Sequence, residues 1–223
     1  MNGSDMNRSE KKIRSEIIGV AVMLHHKNML AACDGNISYR IDDENILITP
    51  SGKPKFLLSE EDIAVVDIDG NVISGEPSSE MLMHLEVYKM REDVRTVIHA
   101  HPPTAVAYSI AHPDAEEIPG KSFSELILAV GKLPIVPFQI PGSAEMGTAL
   151  HPYIKEHKVM VLARHGALSF GEDLIEAYNG MERLEHSCEI LLKAESFGQV
   201  TELDEATIEK LHAMRKKIGD KTL

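Results

Sequence analysis

The sequence has no tryptophan, only two cysteines and little positive charge, with 23 Lys and Arg against 35 Asp and Glu for a net charge of −12. Aromatic residues are few, five Phe and five Tyr, and the composition is otherwise ordinary for a globular protein. The charge balance argues against non-specific nucleic-acid binding, because no basic footprint is available for the phosphates. A small anionic substrate stays compatible with it, since backbone N–H groups at helix starts hold phosphate without bulk positive charge. Cys33 and Cys188 lie far apart with no CxxC spacing, which argues against a disulfide scaffold and against a structural Cys-zinc site. No apolar run reaches transmembrane length, and Met1 to Arg14 is polar without a signal-peptide core. The chain therefore reads as cytoplasmic, with no membrane contact.

What is present fits one domain over residues 1–223, with residues 1–8 a loose start. Ser9 is a candidate cap for a helix to about Asn28, with Ile13, Ile17, Val20, Ala21 and Leu24 on one face. Two hairpins follow, Ile37–Arg40 with Ile46–Thr49 and Ile63–Ile68 with Val72–Ile73, the second turning at Asp69-Gly70-Asn71. A helix opens at Pro77-Ser78-Ser79-Glu80 and runs to about Met90, with Ser78 or Ser79 as N-cap and Glu80 in the first turn. Strands are expected at Val94–Ala100, Ile135–Phe138, Val159–Ala163 and Ala167–Phe170. Helices are expected at Thr104–Ala111, Ser124–Val130, Glu145–Glu156, Leu174 to about Phe197 behind Asp173, and after Asp204. This is an α/β chain with a mixed, mainly antiparallel β-sheet layered between α-helices.

The chemistry-bearing residues begin with His99 and His101, which close an apolar run before Pro102-Pro103. Residues i and i+2 of a strand share a face, so both imidazoles project together at the strand's end. The pair is either a two-point grip on a transition metal or two half-buried structural histidines. A catalytic metal site needs a third protein ligand, and His165 is the best candidate, at another strand end beside Gly166. His25, His84, His151, His157, His186 and His212 fall in helical or exposed positions and read as surface or packing residues. Glu80 is either a base beside the metal or a glutamate answering a helix dipole. Gly35-Asn36, Ser51-Gly52 and Ser78-Ser79 each read as a turn or cap, and together as a phosphate cradle.

In order along the chain, Gly35-Asn36-Ile37-Ser38, Thr49-Pro50-Ser51-Gly52, Pro77-Ser78-Ser79-Glu80, His99-Ala100-His101-Pro102-Pro103 and His165-Gly166 resemble the class II aldolase/adducin-head family, from about Ile13 to Leu192. The resemblance implies His99, His101 and His165 as ligands of one Zn2+ per subunit, with Mn2+ or Co2+ as substitutes. It implies Glu80 as the catalytic acid/base and Gly35, Asn36, Ser51, Gly52, Ser78 and Ser79 as the substrate phosphate site. It further implies a homotetramer with active sites near subunit interfaces. The activity implied is reversible aldol cleavage of a phosphorylated ketose, L-fuculose-1-phosphate-like, to dihydroxyacetone phosphate and an aldehyde.

Dehydration, 4-epimerisation and decarboxylation are the other reactions of this scaffold. The epimerase branch carries an aspartate where Glu80 stands, and the adducin branch has lost the histidine triad kept here. Two positions depart from the fuculose pattern. Phe123 falls where a proton-donating tyrosine is expected, and no tyrosine follows Tyr178.

Overall fold

The computed structural model describes residues 10–219, 221 and 222, so the expected loose start and the Ser9 cap lie outside the described residues. Eight strands form one sheet in the order β4-β3-β2-β1-β5-β8-β7-β6. These are β1 (Asn36–Arg40), β2 (Asn45–Ile48), β3 (Ala64–Asp67), β4 (Val72–Ser74), β5 (Thr96–Ala100), β6 (Ile135–Val136), β7 (Val159–Leu162) and β8 (Gly166–Gly171). Every neighbouring pair is antiparallel except β6 with β7. The mixed, mainly antiparallel α/β architecture is the one expected.

Alternation along the strands splits the core in two. Ile37, Tyr39, Ile98 and Ala100 pack on one face with α1 (Glu10–His26) and α7 (Leu174–Phe197). Val97, Leu168 and Phe170 pack on the other with α2 (Met81–Met90), α5 (Ala144–Ala149) and α6 (His151–Ile154). The remaining helices are α3 (Pro103–Ala111), α4 (Ser124–Ala129) and α8 (Glu205–Ile218). Burying a core side chain of this size contributes about 1.5–3 kcal/mol, so the period-two pattern fixes the register firmly.

Three expectations need correction. The helix expected over Glu145–Glu156 is two short ones, α5 and α6, that meet at Leu150. Pro152, near the start of α6, has no N–H to give a continuous ladder. The strand expected over Ile135–Phe138 stops at Val136, because Pro137 cannot donate to a partner strand. Glu80 is not in a first turn. It is the residue before α2, and its side chain makes no capping bond, leaving the carboxylate for other contacts.

Candidate metal centre

Strand β5 lies between β1 and β8, with His99 facing Asn36 on one side and Leu168 on the other. His99 is fully buried, and its Nδ1–H donates to the Ala167 carbonyl at 3.0 Å. That bond fixes the tautomer and turns the lone pair of Nε2 inward. His101 continues the same face. Its backbone N–H is held by the Met29 carbonyl at 2.8 Å, and the start of α3 behind it is anchored by Glu185, which accepts from the Thr104 and Ala105 amides.

His165 arrives from the turn between β7 and β8, where Arg164 takes a left-handed backbone (φ 59°). Gly166 makes the approach possible: a Cβ there would sit 2.6 Å from the Ala100 carbonyl and under 3 Å from both the His99 and His101 rings. The three imidazoles offer nitrogens that all lie within 4.8 Å of one another.

Nε2 of His101 stands 3.1 Å from Nε2 of His99. With His99 in the tautomer just described, and Nδ1 of His101 facing Asp34 Oδ2 at 3.4 Å, two lone pairs point at one another. A shared cation resolves that contact. His165 sets Nε2 3.2 Å from Glu80 Oε1, while its Nδ1 is buried without a hydrogen-bond partner among the described residues. The donor set of three imidazoles suits a divalent transition metal with an open position. Burial, the largest influence on both, lowers the basicity of His101 and of His99, the latter to about 3, so both stay neutral and available.

Glu80 lies against this cluster. Its Oε1 is 3.2 Å from His165 Nε2, and its Oε2 is 3.4 Å from His99 Nε2. Burial alone would raise its pKa. The contact with His165, the His99 and His165 rings and the Asn36 amide outweigh that and hold it at about 2. Asn36 Nδ2 donates to Oε2 at 3.0 Å, while Oε1 accepts no hydrogen bond. Exposure rises outward across the site, from 0% at the His99 side chain to 16% at Glu80 and 26% at His101.

The three small-residue segments come together beside Glu80. Thr49 donates its backbone N–H to the Ile37 carbonyl and accepts the Ile37 N–H on its Oγ1, its own carbonyl accepts the Ser78 N–H, and Ser51 Oγ accepts the Ser79 N–H at 2.9 Å. Gly52 (φ +68°) is exposed, with open space where a side chain would stand. Gly35 (φ +71°) has no such room, because a Cβ would meet the His99 carbonyl at 2.8 Å. The Asn36 side chain faces inward and is spent on Glu80 and His84.

Pattern reading overlooked three supporting residues. Lys55 is buried and donates to the carbonyls of Cys33 and Lys53, tying two of the segments together; burial lowers its pKa. Asp34 backs His101. His84, read as a packing histidine, is fully buried and bonded to Ser38 and Asn36. The signal available for it was an ionisable residue amid the apolar positions of α2.

A family model described as the class II aldolase and adducin N-terminal domain matches residues 15–192. The chain belongs to the class II aldolase/adducin family. A 3-oxo-tetronate 4-phosphate decarboxylase of Pectobacterium atrosepticum is 30% identical over 193 residues, 85% of this chain and 88% of the relative. An L-fuculose phosphate aldolase of Methanocaldococcus jannaschii is 32% identical over 181 residues, 80% of this chain and 95% of the relative. A solved structure of an L-fuculose 1-phosphate aldolase superposes with a TM-score of 0.82 at 29% identity, covering 96% of this chain and all of the other.

As a class II aldolase-family protein, the chain carries a histidine triad able to hold a divalent metal and belongs to a family acting on phosphorylated sugars. No helix among the described residues is long and apolar enough to cross a membrane. Phe123, the position the resemblance matches to a proton-donating tyrosine, precedes α4 as its N-cap and packs on the core. The exposed aromatic in the loop whose Gly142 approaches the Ser79 carbonyl is Phe138, which also lacks a hydroxyl.

Proposed function

We propose that this protein is a metal-dependent carbon–carbon lyase that forms the enediolate of a small phosphorylated ketose, reversibly releasing dihydroxyacetone phosphate and an aldehyde from an L-fuculose-1-phosphate-like substrate. The observation that carries the reading is one carboxylate, Glu80, lying within 3.4 Å of two of three converging imidazoles. His99, His101 and His165 would hold Zn2+, with Mn2+ or Co2+ as substitutes. Such an ion would supply a Lewis acid that draws electron density from a substrate carbonyl.

Glu80 then moves the proton at the carbon beside that carbonyl. Its Oε2 is occupied by the Asn36 amide, so Oε1 is the oxygen left to exchange a proton. Ser51, Gly52, Ser78 and Ser79, with the backbone at Gly35 and Asn36, receive the phosphate through N–H and hydroxyl groups. Asp34 and the Ala167 carbonyl keep two ligand rings oriented. A homotetramer with sites near its interfaces fits the exposed Phe138 and Ile140 on the loop beside Ser79, and light scattering tests it.

Decarboxylation is the second reading, favoured by the decarboxylase relatives and by Phe123 and Phe138. A 3-oxo acid losing CO2 leaves the same enediolate as a ketose losing an aldehyde. It needs no hydroxyl to manage an aldehyde oxygen, and neither phenylalanine has one. The metal-loaded protein is expected to exchange a carbon-bound proton of dihydroxyacetone phosphate in deuterated water under either reading. Assays with short aldehydes and with 3-oxo-tetronate 4-phosphate then separate aldol chemistry from CO2 release. Failure of exchange by fully metallated protein overturns both.

A further inference from the structure

We propose that His84 is a positioning residue: through Asn36 it fixes which oxygen of Glu80 is free to handle the proton. This rests on the role given to Glu80 above. The observation is an unbroken buried chain of side chains, Glu80–Asn36–His84–Ser38–Tyr88, in which the last four are 2% exposed or less. It is built like a ladder. His84 and Tyr88 are four apart on α2, about 6 Å along a helix axis, and Asn36 and Ser38 are two apart on β1, about 6.6 Å along a strand. The two spacings match, so the rungs align.

The direction of every bond in this chain follows from one end. A carboxylate oxygen only accepts, so the Asn36 group facing Glu80 Oε2 at 3.0 Å is its NH2. The Asn36 carbonyl oxygen is then turned to His84 Nε2, which must carry a hydrogen. His84 is neutral, because burial lowers its pKa to about 3, so Nδ1 carries a lone pair. That lone pair accepts the Ser38 hydroxyl at 2.7 Å. Ser38 has no second hydrogen, so its oxygen accepts from the Tyr88 hydroxyl at 2.8 Å, the shorter of that hydroxyl's two contacts, the other being the Arg95 carbonyl at 3.3 Å. One tautomer of His84 satisfies all four contacts. The other places a hydrogen against Ser38 and a lone pair against the Asn36 oxygen.

Without the His84 N–H, the Asn36 amide loses the partner that stops it turning over. A turned amide sets its oxygen against Glu80 Oε2, and the carboxylate is no longer pinned by one oxygen with the other free. Such a change slows proton transfer while leaving the metal ligands and the phosphate segments as they are.

The test uses the metal-loaded full chain. Long-range proton–nitrogen correlation spectra at neutral pH should show His84 as the neutral tautomer with hydrogen on Nε2; hydrogen on Nδ1 overturns the proposal. His84→Leu should lower kcat for proton exchange into dihydroxyacetone phosphate by about 10- to 100-fold, with KM and metal content unchanged. His84→Gln, whose amide still donates toward Asn36, should recover most of that loss. Unchanged kcat in His84→Leu, or a loss that tracks metal content, contradicts the assignment. If His84→Leu does not fold, the tautomer is read in Ser38→Ala as well: the Asn36 carbonyl alone should keep the hydrogen on Nε2, and hydrogen on Nδ1 there overturns the proposal. Absence of exchange in the wild type overturns the functional reading, and the tautomer then still decides the hydrogen-bond chain.

Discussion

Each imidazole of the triad is held by a different neighbour: a backbone carbonyl for His99, a half-exposed carboxylate for His101, and the turn geometry itself for His165. Asp34 is the most separable of these supports, because it stands at the rim and its removal leaves no buried charge. Asp34→Ala is expected to weaken metal affinity by about 10- to 100-fold, measured by competition with a chelator, while Asp34→Asn keeps part of it. Equal affinity in Asp34→Ala and wild type contradicts that role. His84 makes a different prediction. Its pKa falls from 6.5 in the unfolded chain to about 3 in the fold, so between those values the unfolded state binds more protons. Stability of the metal-free protein should therefore fall as pH drops below about 6.5, and His84→Gln should flatten that slope in thermal melts. Stability rising toward acid pH is the contrary result. The His99–His101 pairing on one face was readable in the sequence because strand alternation and a strand end leave a local signature, whereas His165 and Glu80 had local alternatives that only the family resemblance narrowed. His84 and Lys55 were not readable. Their partners lie 46 and 48 residues away for His84 and on two loop carbonyls for Lys55, and no local pattern encodes a contact of that kind.

At the scale of elements, the site depends on how closely β5 and β8 approach at their ends. Gly166→Ala forces a methyl group against the Ala100 carbonyl and both rings of the His99–His101 pair. The expected outcome is a loss of about 1–3 kcal/mol in stability, read by denaturant unfolding, with weakened metal binding. A variant that binds metal as the wild type does would show that the rings can yield. The apolar runs at β5, β7 and β8 and the capped start of α7 at Asp173 were legible to within a residue or two, since burial and a cap act locally. The start of α2 and the break between α5 and α6 were not. Glu80 is a good first-turn residue by propensity, yet the site claims its carboxylate, and the chain starts the helix one residue later.

At the scale of the whole molecule, the antiparallel sheet gathers groups far apart in the chain. Asn36 on β1, His99 on β5 and the Gly166–Ala167 corner of β8 are neighbours only because the strand order places β5 between β1 and β8. Sequence motifs pointed to those groups but not to the strand order, which rests on pairings between residues 57 to 75 positions apart. A metal held at that junction would tie the two halves of the sheet, so adding it should raise the thermal midpoint and a chelator should reverse the gain, as for any ligand that binds only the folded state. The measurement closest to the central claim is proton exchange at dihydroxyacetone phosphate, followed by NMR in deuterated water, for wild type and Glu80→Gln with equal metal content. The account predicts exchange by the wild type and a loss of at least about 100-fold in the variant, within the range that a positioned acid/base supplies. Undiminished exchange by Glu80→Gln, or none by the fully metallated wild type, would contradict it.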